Sequence, residues 1–325
     1  MANSAPKNEK GKLENRNWNM GRAERNTALN DIYVTVNGVR LHCVTAGAGT
    51  LMLCLHGFPE FWYEWKEQLR EFGKDHLVVA PDLRGYNLSE KPAELEAYRV
   101  PTLLEDIRGL ADHFRQGKKF ILVAHDWGGA LAWGFAIAHP EVLEKLVIIN
   151  APHPAIFREL LMNDAGQQQA SQYMLLFRSP GAEAMLLANG CAILVENVLG
   201  EMLKSGVMTE ADREEYVKAW QRPGALTGGL NYYRANEVGP PAPGEMATGT
   251  PAAAHAFAVD AAQMRVRVPT LVIWGEKDTA LTVKNLDGLE KYVPDLTIRR
   301  VADGSHWVVH EKVAEVNGYV REFIG

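Results

Sequence analysis

Residues 120–133 read FILVAHDWGGALAW and give the first indication of the fold. The apolar run 120–124 is typical of a buried strand, and residues 128–138 continue as an apolar helix. Between them stands Asp126, with the small residues Ala124 and Gly128 two positions to either side. A sharp strand-to-helix turn crowds these flanking positions, lifts its central side chain out of the sheet and presents the next N–H at a helix N-terminus. The pattern predicts Asp126 as a nucleophile, with an ordinary helix N-cap as the alternative.

Similar apolar runs recur along the chain and alternate with helix-length segments. Runs that are apolar on both faces are typical of strands in a parallel sheet, and their alternation with helices is typical of right-handed βαβ units. The sequence therefore predicts an α/β protein with a mostly parallel, doubly wound sheet. The predicted strands are 51–55, 76–81, 120–124, 145–150, 270–274 and 296–301, the predicted helices are 62–72, 102–114, 128–138 and 312–323, and a hairpin is expected around Asn37-Gly38 within 31–46.

The alternation is interrupted once, between residues 150 and 270. Helical stretches at 183–199 and 210–221 occupy this gap, which predicts a helical cap (lid) inserted between two strands of the sheet. Residues 237–258 at its end are rich in Pro, Gly and Ala and are expected to form a loop. We predict a polar N-terminal extension at 1–30, a core at 31–154 and 264–325, and a cap at 155–263.

Two further residues complete a hydrolase triad with Asp126. Asp278 follows the predicted strand 270–274, and His306 follows the predicted strand 296–301. The chain order is then nucleophile, acid, histidine, which is the order of the α/β-hydrolase fold. His310 competes with His306 for the role of base, and a capped loop histidine is the plain structural reading of His306. Asp278 is favoured as the acid because Asn150, after the strand 145–150, cannot serve.

An oxyanion hole is predicted next to this triad. Residues 56–60 read HGFPE and follow the strand 51–55, at the point where the fold supplies one backbone N–H. The donors would be the amides of Phe58 and Trp127. The same stretch could instead be only a turn that ends the strand. None of the six serines stands in an elbow of this kind, so a serine esterase is not favoured.

The composition is that of a globular protein, with 325 residues, 47% hydrophobic, 23% charged and a net charge of -6. A negative net charge gives no electrostatic reason to bind nucleic acid or an anionic membrane. The three cysteines form no C-x-x-C pair, so neither a disulfide framework nor a thiolate zinc site is expected. There is no run of about 18 apolar residues to span a membrane and no signal-peptide pattern. We expect a soluble, cytoplasmic protein.

No metal or organic cofactor is expected from the sequence. An H-E-x-x-H helix is absent, and the glycine-rich turn at 47–49 leads into a strand rather than into a phosphate-binding helix.

Several motifs in combination resemble the epoxide hydrolase branch of the α/β-hydrolase family, which is shared with haloalkane and fluoroacetate dehalogenases. The resemblance covers about residue 30 to the C-terminus. It implies the α/β-hydrolase fold, a small apolar epoxide and water as substrates, with a homodimer as one oligomeric state open to the chain. The motifs are HGFPEFWYEW at 56–65, DLRGYNLSEKP at 82–92, AHDWGGALAW at 124–133, NAPHPAIF at 150–157, WGEKD at 274–278 and GSHW at 304–307.

The resemblance also implies two cap tyrosines that hold the epoxide oxygen. Tyr173 stands seven residues before Pro180, like the first tyrosine of the family, and Tyr233 precedes Arg234, like the second. Tyr232 is the alternative if the register differs by one residue. Either tyrosine could instead be an aromatic residue that packs the cap.

The implied reaction opens an epoxide through a covalent ester on Asp126. A haloalkane or haloacid dehalogenase with the same triad is the alternative, in which Trp127 and the cap residue Trp220 would be the halide donors. Fluoroacetate dehalogenases carry an arginine directly after His-Asp, and Trp127 occupies that place here. A binding module without turnover is a further alternative. Asn87-Leu88 departs from the family pattern, which affects the expected shape of the pocket.

Overall fold

A computed structural model describes residues 28–241 and 261–325 of the chain. Most of the predicted N-terminal extension and most of the predicted loop at 237–258 lie outside these described residues. The division into core and cap stays a prediction.

In the described part of the chain, eight strands form one sheet in the order β1-β2-β4-β3-β5-β6-β7-β8. The pairs β1–β2 and β2–β4 are antiparallel, and every other neighbouring pair is parallel. This arrangement confirms the predicted α/β class and the mostly parallel sheet. The strands are β1 Asn30–Val36, β2 Val39–Ala46, β3 Leu51–Leu55, β4 Leu77–Pro81, β5 Phe120–His125, β6 Leu143–Ile149, β7 Thr270–Gly275 and β8 Leu296–Val301.

The hairpin between β1 and β2 turns at the predicted pair. Asn37 and Gly38 have φ values of 47° and 75°, which Asn and Gly tolerate better than other residues do. Val36 then pairs directly with Val39, so the turn sets the register of the first two strands.

Within residues 28–241 and 261–325, twelve α-helices surround the sheet and fill the gap between β6 and β7. The predicted helix at 62–72 begins as a 3-10 turn, Trp62–Trp65, and becomes α-helical at Lys66; such turns are common at helix N-termini. The helices are α1 Lys66–Phe72, α2 Val100–Phe114, α3 Asp126–Ala138, α4 Pro154–Asn163, α5 Ala165–Ala170, α6 Gln172–Arg178, α7 Ala182–Leu194, α8 Gly200–Lys204, α9 Glu210–Trp220, α10 Ala225–Ala235, α11 Val308–Glu311 and α12 Val313–Ile324.

The two faces of the sheet support two hydrophobic layers. Alternate residues of β5 contribute to each, with Leu122 in the layer that contains α2 and α3 and Val123 in the layer that contains α1 and α12. Helices therefore cover both faces, as a doubly wound sheet requires. The carboxyl ends of β3, β5, β6 and β7 are left at one edge, where the candidate site forms.

The segment Ala182–Lys204 differs from what the sequence analysis predicted. It is 23 residues long, with a mean hydropathy of 1.4, and is long and apolar enough to cross a membrane by length and composition alone. It is not one regular helix, because Asn189, Gly190 and Cys191 have φ values of 52°, 69° and 64° and Val195–Leu199 is π-helical. The regular helical hydrogen bonding of this segment is therefore interrupted near its middle.

Candidate active site

Asp126 lies at the tip of the turn between β5 and α3. Its φ of 48° is unusual for a residue other than glycine and marks local strain, which is common at functional sites. Two glycines make room for the turn. A Cβ on Gly128 would lie 2.2 Å from the carbonyl oxygen of Leu55, and a Cβ on Gly57 would lie 2.2 Å from Oδ1 of Asp126. The elbow therefore depends on the small residues that the sequence places around it.

The structure brings the three predicted triad residues together. Nδ1 of His306 lies 2.7 Å from Oδ2 of Asp278, and Nε2 of His306 lies 3.6 Å from Oδ2 of Asp126. The histidine thus stands between two carboxyl groups, with one ring nitrogen toward each. Such an arrangement orients the imidazole through Asp278 and leaves Nε2 for proton transfer near Asp126.

The carboxylate of Asp278 accepts three hydrogen bonds besides its contact with His306. Its Oδ1 accepts the backbone N–H groups of Ala280 and Leu281 at 2.8 Å each, and its Oδ2 accepts the side-chain amide of Asn150 at 2.8 Å. Burial alone would raise the pKa of Asp278, but the charge and hydrogen bond of His306 and these donors lower it. Asp278 is therefore an ionised acceptor at neutral pH.

Asn150 has a role in the site that the sequence analysis, which only excluded it as the acid, did not predict. Besides its bond to Asp278, its Oδ1 accepts the N–H of Gly275 at 2.8 Å, so it ties the end of β6 to the end of β7. The sequence offered one signal for it, namely its position directly after a buried strand at the same edge of the sheet as Asp126.

The electrostatics of His306 follow from its two carboxylate neighbours. Burial lowers its pKa, but Asp278, by charge and by hydrogen bond, and then Asp126 outweigh that effect and raise the pKa of His306 to about 9. The resting site therefore holds a protonated histidine between two carboxylates.

One predicted oxyanion donor already contacts the carboxylate. The backbone N–H of Phe58 donates to Oδ1 of Asp126 at 2.8 Å. The N–H of Trp127 belongs to the first turn of α3, where backbone donors are not used within the helix. The Phe58 amide therefore contacts the carboxyl group of Asp126, and the Trp127 amide follows Asp126 directly at the N-terminus of α3.

The two predicted cap tyrosines lie side by side. The rings of Tyr173 and Tyr233 have centroids 6.5 Å apart, and the ring of Tyr233 contacts that of Trp127 at 5.2 Å. Tyr232 points elsewhere, because its hydroxyl donates to the carbonyl oxygen of Arg84 at 2.9 Å. The geometry therefore favours Tyr233 over Tyr232 as the second tyrosine.

Both cap tyrosines remain protonated over the physiological range. Burial first, and then the charge of Asp126, raises the pKa of Tyr173 and that of Tyr233 well above the usual value. Their sensitivity to Asp126 shows that both lie within electrostatic reach of the carboxylate. They are therefore neutral hydroxyl donors near the candidate nucleophile.

A mostly apolar cavity opens above Asp126. It contains about 480 Å³ of empty space, part of it open to solvent. Its mostly apolar lining, with Asp126 as a polar group at the base, is typical of a site for a small apolar molecule. The lining residues are Asp126, Trp127, Ala130, Pro152, Pro154, Phe157, Met174, Tyr233, Val238 and Leu281.

Comparisons with known proteins agree with this geometry. A family model described as alpha/beta hydrolase fold matches residues 50–313. Epoxide hydrolase 4 of Mus musculus is 35% identical over 336 residues, covering 94% of this chain and 88% of that protein. The crystal structure of an epoxide hydrolase mutant from Bacillus megaterium is 37% identical, with a TM-score of 0.82, covering 90% of this chain and 99% of that one. AB hydrolase superfamily protein YfhM of Bacillus subtilis is 37% identical over 295 residues, covering 90% of this chain and 96% of that protein.

The chain belongs to the epoxide hydrolase branch of the alpha/beta hydrolases. The resemblance found in the sequence is thereby confirmed.

In this alpha/beta hydrolase, the competing histidine lies behind the site. Nε2 of His310 is 3.1 Å from Oε1 of Glu60, and the hydroxyl of Tyr216 donates to Oε2 of Glu60 at 2.5 Å. His310 is buried in this pair, and its contacts are with Glu60 and Tyr216 rather than with Asp126. The arrangement favours His306 over His310 as the base.

One group of buried side chains has the ligand types of a metal site. Within residues 28–241 and 261–325, Glu60, Glu64 and His310 present ligand atoms that all lie within 4.8 Å of one another. Glu60 and His310 already pair with each other, which accounts for two of the three without an ion.

Proposed function

We propose that this alpha/beta hydrolase converts an epoxide to a vicinal diol through a covalent ester on Asp126. The observation that carries the proposal is that Asp126 and Tyr233 line one apolar cavity, with the ring of Tyr173 beside that of Tyr233 and both tyrosine hydroxyls neutral. The similarity to epoxide hydrolase 4 of Mus musculus and to the epoxide hydrolase of Bacillus megaterium supports the same class of reaction.

In the first step, a carboxylate oxygen of Asp126 attacks one carbon of the epoxide. The carbon–oxygen bond at that carbon breaks, and the freed oxygen stays attached to the substrate, where it must take up a proton. Tyr173 and Tyr233 are the donors, since their hydroxyls are protonated and near Asp126. A carboxylate suits this displacement because the ester it forms remains open to water, whereas a serine ether would not.

In the second step, His306 removes a proton from a water molecule, and that water attacks the carbonyl carbon of the ester. The negative charge that develops on the ester oxygen is stabilised by the N–H groups of Phe58 and Trp127. Collapse of this intermediate releases the diol, with a proton returned from His306, and leaves Asp126 as a carboxylic acid. The proton of that acid passes to the tyrosinate formed in the first step, which restores both the carboxylate and the tyrosine hydroxyl. Asp278 keeps Nδ1 of the imidazole oriented throughout.

The dehalogenase alternative is less well supported by the donors in the cap. A leaving halide needs two N–H donors, and Trp127 could supply one. The other candidate is Trp220, but its indole N–H already donates to the carbonyl oxygen of Pro59 at 2.6 Å and is buried there. Hydroxyl donors, which suit an alkoxide rather than a halide, remain beside the nucleophile.

A single-turnover reaction in H₂¹⁸O tests the ester mechanism. With enzyme in excess over an aryl glycidyl ether, the oxygen added to the first diol should come from Asp126 and carry no label, and the label should enter the carboxylate. The Asp126→Ala variant is the control and should form no diol. A labelled first diol would mean direct attack by water, and an absence of turnover on a broad epoxide panel would favour a binding module.

A further inference from the structure

A buried carboxyl group lies behind the triad, and the proposed mechanism does not use it. Glu64 stands in the turn Trp62–Trp65, and its side chain is 0% exposed. Within the described ranges, neither of its oxygens has a hydrogen-bond partner by ordinary geometry, and neither has Nδ1 of His125. Yet Oε1 of Glu64 lies 2.5 Å from Nδ1 of His125. Two buried polar atoms at this distance need a proton between them.

The other ring nitrogen of His125 limits where that proton can be when His125 is neutral. Nε2 of His125 lies 2.9 Å from the backbone carbonyl oxygen of His306. A carbonyl oxygen only accepts, so Nε2 must carry a hydrogen. A neutral His125 then has a bare lone pair on Nδ1, and Glu64 must be the donor to it.

The surroundings agree with a neutral pair rather than an ion pair. Burial first, and then the charge of His306, lowers the pKa of His125 to about 4. Burial first, and then the carboxylate of Glu60, raises the pKa of Glu64 well above its usual range. Glu60 already has its cationic partner, His310, so the cluster holds one ionised and one neutral carboxyl group.

One hydrogen bond and one close contact therefore join a buried acid to the catalytic loop. Nε2 of His125 donates to the carbonyl of His306, and Oε1 of Glu64 lies against Nδ1 of His125. The rings of His125 and His306 are also in contact, with centroids 4.7 Å apart. His125 directly precedes Asp126. These contacts therefore fix the position of the turn at Asp126 relative to His306.

We propose that Glu64 is a positioning residue, which as a neutral carboxylic acid fixes the tautomer of His125 and thereby the place of His306. The inference rests on the proposed function only in the role given to His306. The proton on Glu64 and the tautomer of His125 can be measured without any substrate.

The first test is spectroscopic and uses the full chain. Infrared difference spectra between wild type and Glu64→Gln should show the loss of a carboxylic-acid carbonyl band at neutral pH. The exposed Glu290→Gln is the control and should lose only a carboxylate band. Nitrogen-15 NMR should show His125 protonated on Nε2 alone. A carboxylate band for Glu64, a doubly protonated His125, or a stoichiometric divalent metal in the purified protein would overturn the proposal.

The second test separates positioning from charge. Glutamine can still donate to Nδ1 and is neutral, so Glu64→Gln should keep the tautomer, the pH profile and nearly the full rate of ester hydrolysis. Glu64→Leu removes the donor and should lower that rate about ten- to a hundredfold, with ester formation less affected. Equal damage from both substitutions, or a pH profile shifted by glutamine, would contradict a neutral donor. If the leucine variant does not fold, the spectra of the wild type still decide.

Discussion

Nε2 of His306 lies 3.6 Å from Oδ2 of Asp126. This separation is too long for a hydrogen bond, so His306 is not hydrogen-bonded to the carboxylate of Asp126. Its place is near the carboxyl carbon, where a water molecule would attack an ester. The spacing therefore fits a base that acts in the second step rather than in the first.

Removing one cap hydroxyl should slow ester formation. We expect Tyr173→Phe and Tyr233→Phe each to reduce that step about ten- to a thousandfold, since proton donation is shared between the two. The measurement is rapid-quench detection of the ester. Tyr232→Phe is the matched control, because the Tyr232 hydroxyl donates a hydrogen bond to the backbone carbonyl of Arg84 and not to the substrate. It should leave turnover nearly unchanged and lower stability by about 1 kcal/mol. A rate loss for Tyr232→Phe as large as that for Tyr233→Phe would contradict the assignment.

The rate of ester hydrolysis should rise with pH. The step needs neutral His306, whose pKa of about 9 in the free enzyme depends partly on the charge of Asp126. Ester formation removes that charge, so the apparent pKa of hydrolysis should fall below about 9. Single-turnover decay of the ester from pH 6 to 10 measures it. A rate that is flat over this range, or that falls with rising pH, would argue against His306 as the base.

The stability of the fold should depend on His42 in a defined pH window. Its Nδ1 lies 2.7 Å from Asp82 and its Nε2 3.0 Å from Asp31. Burial lowers its pKa, but the two carboxylates outweigh burial and raise the pKa to about 9. The protonated form is favoured by folding, so its contribution is full below about pH 6.5 and is lost as pH rises through about 9.

Urea unfolding of the wild type and of His42→Gln at pH 6.5, 8 and 9.5 measures this contribution. His306 titrates in the same direction in both proteins, so the difference between them isolates His42. We expect the wild type to lose up to about 1.4 kcal/mol more per pH unit within the window. Parallel stability curves for the two proteins would show that His42 is neutral in the folded state.

Much of the site could be predicted because its residues directly follow apolar runs that the sequence pattern identifies as strands. Asp126 and Asp278 follow apolar strand runs, and His306 follows the last one, so parallel packing brings them to one edge. The structure confirms the sheet and places these three side chains together. Their chemical roles stay proposals.

Other features depend on contacts between residues far apart in the sequence, which no local sequence pattern indicates. Asn150 meets Asp278 across 128 positions of the chain, and Glu64 meets His125 across the sheet edge. The choice between Tyr232 and Tyr233 depends on how α10 rotates against the core. The break at 188–191 likewise follows from left-handed backbone values at residues that the helical pattern does not distinguish.

Intact mass spectrometry of His306→Gln tests the central claim most directly. The variant retains Asp126 and both tyrosines but lacks the base, so the ester should form and persist. After exposure to a mixed panel of epoxides and haloalkanes, we predict an added mass equal to a whole epoxide, mapped by peptide analysis to Asp126. An adduct equal to an alkyl group without its halogen would instead identify a dehalogenase. An epoxide adduct mapped to any other residue would contradict Asp126 as the nucleophile.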